Sequence, residues 1–97
     1  MSDLQGSVRH RPDLGRYEWV VDEGDPPAIA EYVTDGDVVV MHHTYTEPRF
    51  RGQGLAAHVV EGALDDLRAR GLRVRPDCWF VAEYIDEHPE YRDLLAG

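Results

Sequence analysis

Segment 47–57 of the chain, EPRFRGQGLAA, carries two glycines and an arginine at a spacing that suits anion binding. The residues before it have the pattern of a strand, and those after it the pattern of a helix. Gly52 and Gly54 therefore fall where a helix exposes unpaired backbone N–H groups, and the helix dipole favours an anion there. Glycine also allows a positive φ or a close approach of the backbone to a ligand. The segment predicts a phosphate-binding loop; the alternative is a tight strand-to-helix turn.

The helix after the loop has the clearest pattern in the chain. Its apolar residues recur at a spacing of three or four, which is typical of one buried stripe: Leu55, Val59, Val60, Ala63, Leu64 and Leu67. Gly71 suits a left-handed cap at the end of this helix. Residues 72–74 then have the pattern of a short strand. The sequence predicts a strand–helix–strand crossover, which implies parallel pairing and a right-handed connection.

Three strands are predicted before the loop, over residues 16–21, 28–34 and 38–45, with a tight hairpin at Asp35-Gly36. After the crossover, Asp77 is a suitable N-cap for a C-terminal helix. The predicted fold class is α/β with a mixed α+β sheet. Antiparallel N-terminal strands are followed by a strand–Gly-loop–helix–strand crossover and that last helix. We expect one domain over residues 1–97, with residues 1–15 as a poorly ordered leader or an edge segment.

Several side chains near the loop have two interpretations. Because successive side chains of a strand alternate, we expect His42 and His43 to face opposite sides, with His43 on the face of Met41 and Tyr45. A structural role for either histidine is favoured over a catalytic one. The pair Trp79-Phe80 is expected in the core, with a ligand contact as the alternative.

The charge of the chain excludes some partners. Nineteen acidic residues against ten basic ones give a net charge of −9, which argues against nucleic acid and anionic membranes as partners. No apolar run is long enough to span a membrane or to form the core of a signal peptide, so we expect a cytoplasmic protein. The histidines and the single cysteine, Cys78, lack the close spacing of zinc ligands, and no metal is predicted.

The loop also carries a family resemblance. Arg51, Gly54 and Ala56 match the R/Q-x-x-G-x-G/A pyrophosphate motif of the GNAT acetyltransferases, in the strand-to-helix context that this family uses. The segment RPDCWFV at 75–81 and the later residues Tyr84-Ile85 and HPEY at 88–91 resemble the minimal GNAT-like N-acetyltransferase domains. This resemblance covers residues 16–95 and implies acetyl-coenzyme A (acetyl-CoA) as a ligand.

The resemblance also implies roles for particular residues. Backbone N–H groups of residues 53–57 would hold the pyrophosphate, with Arg51 shaping the loop or pairing with a phosphate, and residues 44–47 would lie along the pantetheine arm. The implied coenzyme-binding residues are Thr44, Tyr45, Thr46, Glu47, Arg51, Gly52, Gln53, Gly54, Leu55, Ala56 and Ala57.

Two catalytic candidates follow from the same resemblance. Cys78 stands where larger relatives have an asparagine, and Tyr84 stands where they have the tyrosine that protonates the coenzyme thiolate. Cys78 is near a helix N-terminus and could accept the acetyl group itself, whereas both residues could simply pack in the core.

The predicted function is transfer of an acetyl group from acetyl-CoA to an unidentified amine, which is either a small molecule or a protein. One alternative is a non-catalytic module that binds or senses acyl-CoA. The other is a protein-interaction domain that binds no coenzyme.

Overall fold

The computed structural model describes residues 6–21 and 24–96. Its five strands form one sheet in the order β1-β2-β3-β4-β5. The strands are β1 (Ser7–Arg11), β2 (Arg16–Val20), β3 (Ala28–Asp35), β4 (Val38–Thr46) and β5 (Arg73–Pro76). The helices are α1 (Leu55–Ala69) and α2 (Trp79–Glu87), and short 3-10 turns occupy Pro48–Phe50 and Pro89–Leu94.

The predicted fold class is confirmed. β1 to β4 pair antiparallel in succession, whereas β5 pairs parallel to β4 through the crossover helix α1. β1 is one of the two edge strands of the sheet and lies in the segment for which a leader or an edge segment was predicted. Residues 1–5, residues 22–23 and residue 97 lie outside the described residues.

Both helices cover the same face of the sheet. Tyr17 pairs with Ala30, Tyr32 with Met41 and Val39 with Val74, so these side chains share one face, and α1 and α2 pack on it in a single hydrophobic cluster. The six apolar residues of the predicted α1 stripe are all buried. Burial of about 25 cal/mol per Å² of apolar surface on this single face is the main term that holds the sheet and helices together.

An extra residue in β4 corrects one prediction about the histidines. Glu31 pairs with His43, but the next residue, Tyr32, pairs with Met41, so β4 contains a bulge at His42. The alternation is reset there: Thr44 pairs with Ala30 of the core face, and Met41 is also on that face. His43 therefore does not share a face with Met41, and His42 and His43 are both exposed.

Two predictions about the start of α2 were also wrong. Cys78, not Asp77, is the N-cap residue, and the Asp77 carboxylate instead pairs with Arg75 at 3.0 Å. Trp79 is 73% exposed and lies outside the core, whereas Phe80 is half-buried against it. The N-cap is set by where β5 ends, which the sequence pattern does not show. Within residues 6–21 and 24–96, no helix is both long and apolar enough to cross a membrane.

Candidate active site

The loop between β4 and α1 has the backbone geometry that its glycines predict. Gly52 has φ 87° and Gly54, the N-cap of α1, has φ 75°, both in the left-handed region that other residues avoid. A Cβ atom built on either glycine would meet nothing within 4 Å. The glycines are therefore required by backbone conformation, and the space beside them is open to a ligand.

The first turn of α1 is left open to an anion. It has no side-chain cap and no acidic residue, and its first intrahelical hydrogen bond is donated by His58 N–H to the Gly54 carbonyl at 3.1 Å. The backbone N–H groups of residues 55–57 precede that bond and have no partner within the helix. This end of α1 can donate several hydrogen bonds to a phosphate.

Arg51 is held beside this turn. Its Nε donates to the Thr46 carbonyl at 3.3 Å, and no carboxylate among the described residues pairs with it. The side chain is exposed. Arg51 therefore keeps a full positive charge at the mouth of the loop, as a phosphate ligand would need.

A cavity of about 600 Å³ begins at the loop and runs between α1 and α2. Ligand pockets for small molecules have volumes of this order. Several predicted coenzyme-binding residues line it: Thr46, Arg51, Gly52, Gly54, Leu55, Ala56 and Ala57. Two further lining residues were considered as ligand contacts: Tyr84 as a catalytic candidate, and Phe80 as the alternative to a place in the core. The remaining lining residues were not predicted: Phe50, His58, Glu61, Glu83, Glu87 and His88.

Tyr84 is the catalytic candidate that lines the cavity. It is 8% exposed, and its ring stacks on His88 with centroids 3.9 Å apart. Burial raises the pKa of Tyr84, and the negative charges of Glu61, Glu90 and Asp65 raise it further. The phenol therefore stays protonated at neutral pH and can donate a proton or a hydrogen bond.

Cys78 lies beside the cavity and is not among its lining residues. It is 9% exposed, and its Sγ lies 3.6 Å from the Thr44 hydroxyl. Burial raises the pKa of the Cys78 thiol, but hydrogen bonds from the backbone N–H groups at the start of α2 and from Thr44 outweigh burial and lower it below the ordinary value. Donors at a helix N-terminus stabilise a thiolate in this way.

The strands β4 and β5 separate at this point. Their pairing ends at Met41 and Pro76, and the Cys78 N–H then donates to the Met41 carbonyl at 2.9 Å. β4 continues to Thr46 with no strand of the described chain beside that edge. This opening between β4 and the start of α2 places Thr44, Cys78 and the loop along one side of the molecule.

Besides Thr44, which lies beside Cys78, three predicted coenzyme contacts do not line the cavity. Tyr45 pairs with Ile29 on the opposite face of the sheet, so its side chain points away from the helices. Glu47 pairs with Arg49 at 2.9 Å and lines a separate, smaller depression. Gln53 is exposed and is not among the residues that line the cavity.

Sequence reasoning missed most of the α2 wall of the cavity. Residues 80, 83, 84, 87 and 88 recur at a spacing of three or four, so they share one helical face. That spacing was a usable signal, but Glu83 and Glu87 are charged, and their residue type is typical of the solvent side of a helix. Among the described residues, no group of three or more His, Cys, Asp or Glu side chains is placed to hold a metal ion.

Comparison with known proteins agrees with this geometry. The family model of the GCN5-related N-acetyltransferases matches residues 16–94. The chain therefore belongs to the GCN5-related N-acetyltransferase family, and the resemblance predicted from the loop is confirmed.

Individual relatives have modest identity to this chain over part of its length. Protein NATD1 of Homo sapiens is 33% identical over 52 residues, which are 54% of this chain and 46% of that protein. Protein NATD1 of Danio rerio is 29% identical over 69 residues, 69% of this chain and 62% of that protein. The chain thus matches about half of the length of most of these relatives.

A solved structure shares the fold. The solution structure of a GCN5-like protein from Staphylococcus aureus superposes with a TM-score of 0.72 at 20% identity, covering 100% of this chain and 92% of that chain. At this identity the likeness concerns the fold alone.

Proposed function

We propose that the chain binds acetyl-CoA at the loop and the cavity, and transfers its acetyl group to an amine. The observation that carries this proposal is the loop itself. Two glycines at positive φ, an open first turn of α1 and an arginine without a carboxylate partner meet at the mouth of a cavity of about 600 Å³. Those features fit a pyrophosphate, because backbone N–H groups and a guanidinium are its usual ligands.

The opening beside β4 suits the rest of the donor. The edge of β4 beyond Met41 presents backbone N–H and C=O groups that the amides of a pantetheine arm can pair with, as a further strand would. An arm bound there would bring its thioester towards Thr44 and Cys78, whose side chains are 3.6 Å apart.

Transfer can follow a direct route. The lone pair of a neutral amine attacks the acetyl carbon, the C–N bond forms, and the C–S bond breaks. Tyr84 would donate its phenol proton to the departing coenzyme thiolate and would regain a proton from solvent, while the amine nitrogen would release its extra proton to solvent. The raised pKa of Tyr84 keeps that proton available.

A two-step route through Cys78 is the alternative. The Cys78 thiolate attacks the acetyl carbon, the coenzyme thiolate leaves with a proton from Tyr84 or solvent, and an acetyl-cysteine forms. An amine then attacks this thioester and restores the thiol. The lowered pKa of Cys78 and its contact with Thr44 favour this route.

Calorimetric titration of acetyl-CoA tests the proposal. We expect wild type to bind and Arg51→Glu to bind at least tenfold more weakly, because a charge-assisted contact becomes a repulsion. The matched control is Arg92→Glu, since Arg92 is exposed and lies outside the cavity. Absence of binding by wild type, or equal losses in Arg51→Glu and the control, would contradict coenzyme binding.

Mass spectrometry separates catalysis from mere binding. The 97 residues contain no lysine, so self-acetylation of a lysine cannot confuse the result. Under the two-step route, incubation with acetyl-CoA adds one acetyl group that neutral hydroxylamine removes, and Cys78→Ala does not gain it. If wild type gains no such group but still acetylates an amine, the direct route is favoured; if neither product forms, the chain is a binding module.

A further inference from the structure

The opening between β4 and the start of α2 is closed, at the end nearest β5, by two side chains that touch. β4 and β5 stop pairing at Met41 and Pro76, and the Cys78 N–H then donates to the Met41 carbonyl at 2.9 Å. Further along β4, the Thr44 hydroxyl lies 3.6 Å from the Cys78 Sγ. The two walls of the opening therefore meet where Thr44 and Cys78 touch.

The bulge at His42 decides which side chain of β4 makes this contact. Because the bulge resets the alternation, Thr44 pairs with Ala30 on the face that the helices cover, whereas His43 pairs with Glu31 on the other face and is exposed. A regular strand would instead turn His43 towards the helices. The bulge thus places a small side chain, in place of an imidazole, at this wall of the opening.

Both sides of the contact are fixed from behind. The backbone N–H groups of Phe80 and Val81 donate to the Cys78 sulfur, which holds the thiol in one place. Ala30, Met41 and Val81 are 0% exposed, and they belong with Cys78 to the hydrophobic cluster. A close-packed interior yields little to an added methylene, because the surrounding side chains would have to leave their preferred rotamers. A group that enters the opening therefore cannot push Thr44 and Cys78 apart at low cost.

We propose that the contact between Thr44 and Cys78 sets the size of the acyl group, so that an acetyl donor is selected over longer acyl donors. This inference rests on the proposed coenzyme binding, in which the thioester reaches the opening at these two side chains. An acetyl group ends at the methyl next to its carbonyl carbon. A butyryl group adds two methylenes, which meet the side chains of Thr44 and Cys78 and the packed core behind them.

Substitutions of Thr44 separate the effect of size from that of hydrogen bonding. Thr44→Val replaces the hydroxyl with a methyl group of similar size, so the opening stays closed. Thr44→Ala removes both groups and widens the opening, and Thr44→Ser removes only the methyl group. Cys78 is left unchanged, because it is also the candidate nucleophile of the two-step route.

The test is calorimetric titration with acetyl-dethia-CoA and butyryl-dethia-CoA, in which a methylene replaces the sulfur so that no acyl group is transferred. We expect wild type and Thr44→Val to bind the acetyl analogue about tenfold more tightly than the butyryl analogue. In Thr44→Ala the ratio should fall below about threefold, with Thr44→Ser between the two. The matched control is Thr34→Ala, an exposed threonine of β3 outside the cavity, which should keep both affinities.

Three results overturn the size limit: equal affinity of wild type for the two analogues, an unchanged ratio in both Thr44→Ala and Thr44→Ser, or equal shifts of the ratio in Thr44→Ala and Thr44→Val. The last result would assign the selection to the hydroxyl and not to size. Coenzyme A itself is titrated in parallel. If coenzyme A and both analogues bind with one affinity, the size limit alone fails. If none of the three binds, the proposed function fails and the size limit falls with it.

Discussion

The polar and charged side chains at the two ends of the helix layer differ in whether they have partners: at one end they are paired, and at the other, around the cavity, they are not. Where the C-terminal half of α1 crosses β1 to β3, polar groups are paired: the Tyr17 hydroxyl donates to Asp66 at 2.5 Å, Arg70 donates to the same carboxylate at 2.7 Å, and His10 contacts Tyr32. We call this set, His10, Tyr17, Tyr32, Asp66 and Arg70, the clasp. It joins the edge strand to the helix.

Charges are also paired on the opposite face of the same strands. Glu18 is 1% exposed, and its two carboxylate oxygens each accept from an arginine at 2.7 Å, from Arg9 and Arg16. Burial raises the pKa of Glu18, but these two partners outweigh it and hold the pKa below its usual value. A buried charge with both oxygens satisfied contributes to the structure and offers nothing to a ligand.

Around the cavity, by contrast, charges of both signs stand without partners. Arg51 has no carboxylate partner and Glu61, Glu83 and Glu87 have no cationic partner within the described part of the chain. Unpaired charges beside a cavity cost little stability while water reaches them, and they gain partners when a ligand enters. From this difference we expect the paired groups to control the stability of the fold, and the unpaired groups to control the binding of a ligand.

The largest expected effect comes from a comparison of two glutamates, one paired and one unpaired. Glu18→Gln should lower the free energy of unfolding by about 2–3 kcal/mol, because it leaves two arginines without their buried partner. Glu87→Gln should change the free energy of unfolding by less than about 0.5 kcal/mol, since an exposed, unpaired carboxylate contributes little. Urea denaturation of both variants provides the measurement, and similar losses in the two would remove the distinction.

A smaller effect is expected at Cys78. Its pKa is lowered, so alkylation by iodoacetamide should reach half its maximal rate at a lower pH than that of a free thiol, which is about 8.5. Thr44→Val removes one donor to the sulfur and should move the midpoint upwards, with no loss of the fold. If the midpoint in wild type is at or above the free-thiol value, the thiolate is not stabilised and the two-step route loses its basis.

The smallest effect concerns the clasp and pH. Burial and the Arg70 charge lower the pKa of His10, and the Asp66 carboxylate opposes them only in part. His10 therefore has a higher pKa in the unfolded chain than in the folded one, so the unfolded chain binds the proton more readily. The contribution of neutral His10 to the free energy of unfolding is complete above about pH 6.5, and it is lost as the pH falls through the lower pKa of the folded state. His10→Gln should show a shallower loss of unfolding free energy between pH 7 and pH 5 than wild type. If the free energy of unfolding falls equally steeply with pH in the variant and in wild type, His10 does not contribute to the pH dependence of stability.

Local patterns were sufficient for much of the fold. The α1 stripe, the hairpin at residues 35–36 and the crossover all depend on near neighbours in the chain, so period and turn residues predicted them. The same holds for the loop, because positive φ at Gly52 and Gly54 is a property of the glycines and the helix that follows.

Register and helix placement could not be predicted in this way. The bulge at His42 depends on how β4 pairs with β3, so alternation along β4 alone gave the wrong face for His43. The same limit applies to Trp79, which has the residue type of a core position but is exposed at the first turn of α2. The sequence indicated which residues are apolar, and the crossing of elements decided which are covered.

The amino-acid sequence by itself determined the order of the elements, the anion-binding loop and the family, because each depends on residue types at short spacing. Only the tertiary structure decided that Tyr84 shares a cavity with the loop, that Cys78 lies against Thr44, and that Glu61 of α1 lines the same cavity as Glu83 and Glu87 of α2. These contacts join residues distant in the chain. They follow from the packing of both helices on one face of the sheet, which no local spacing encodes.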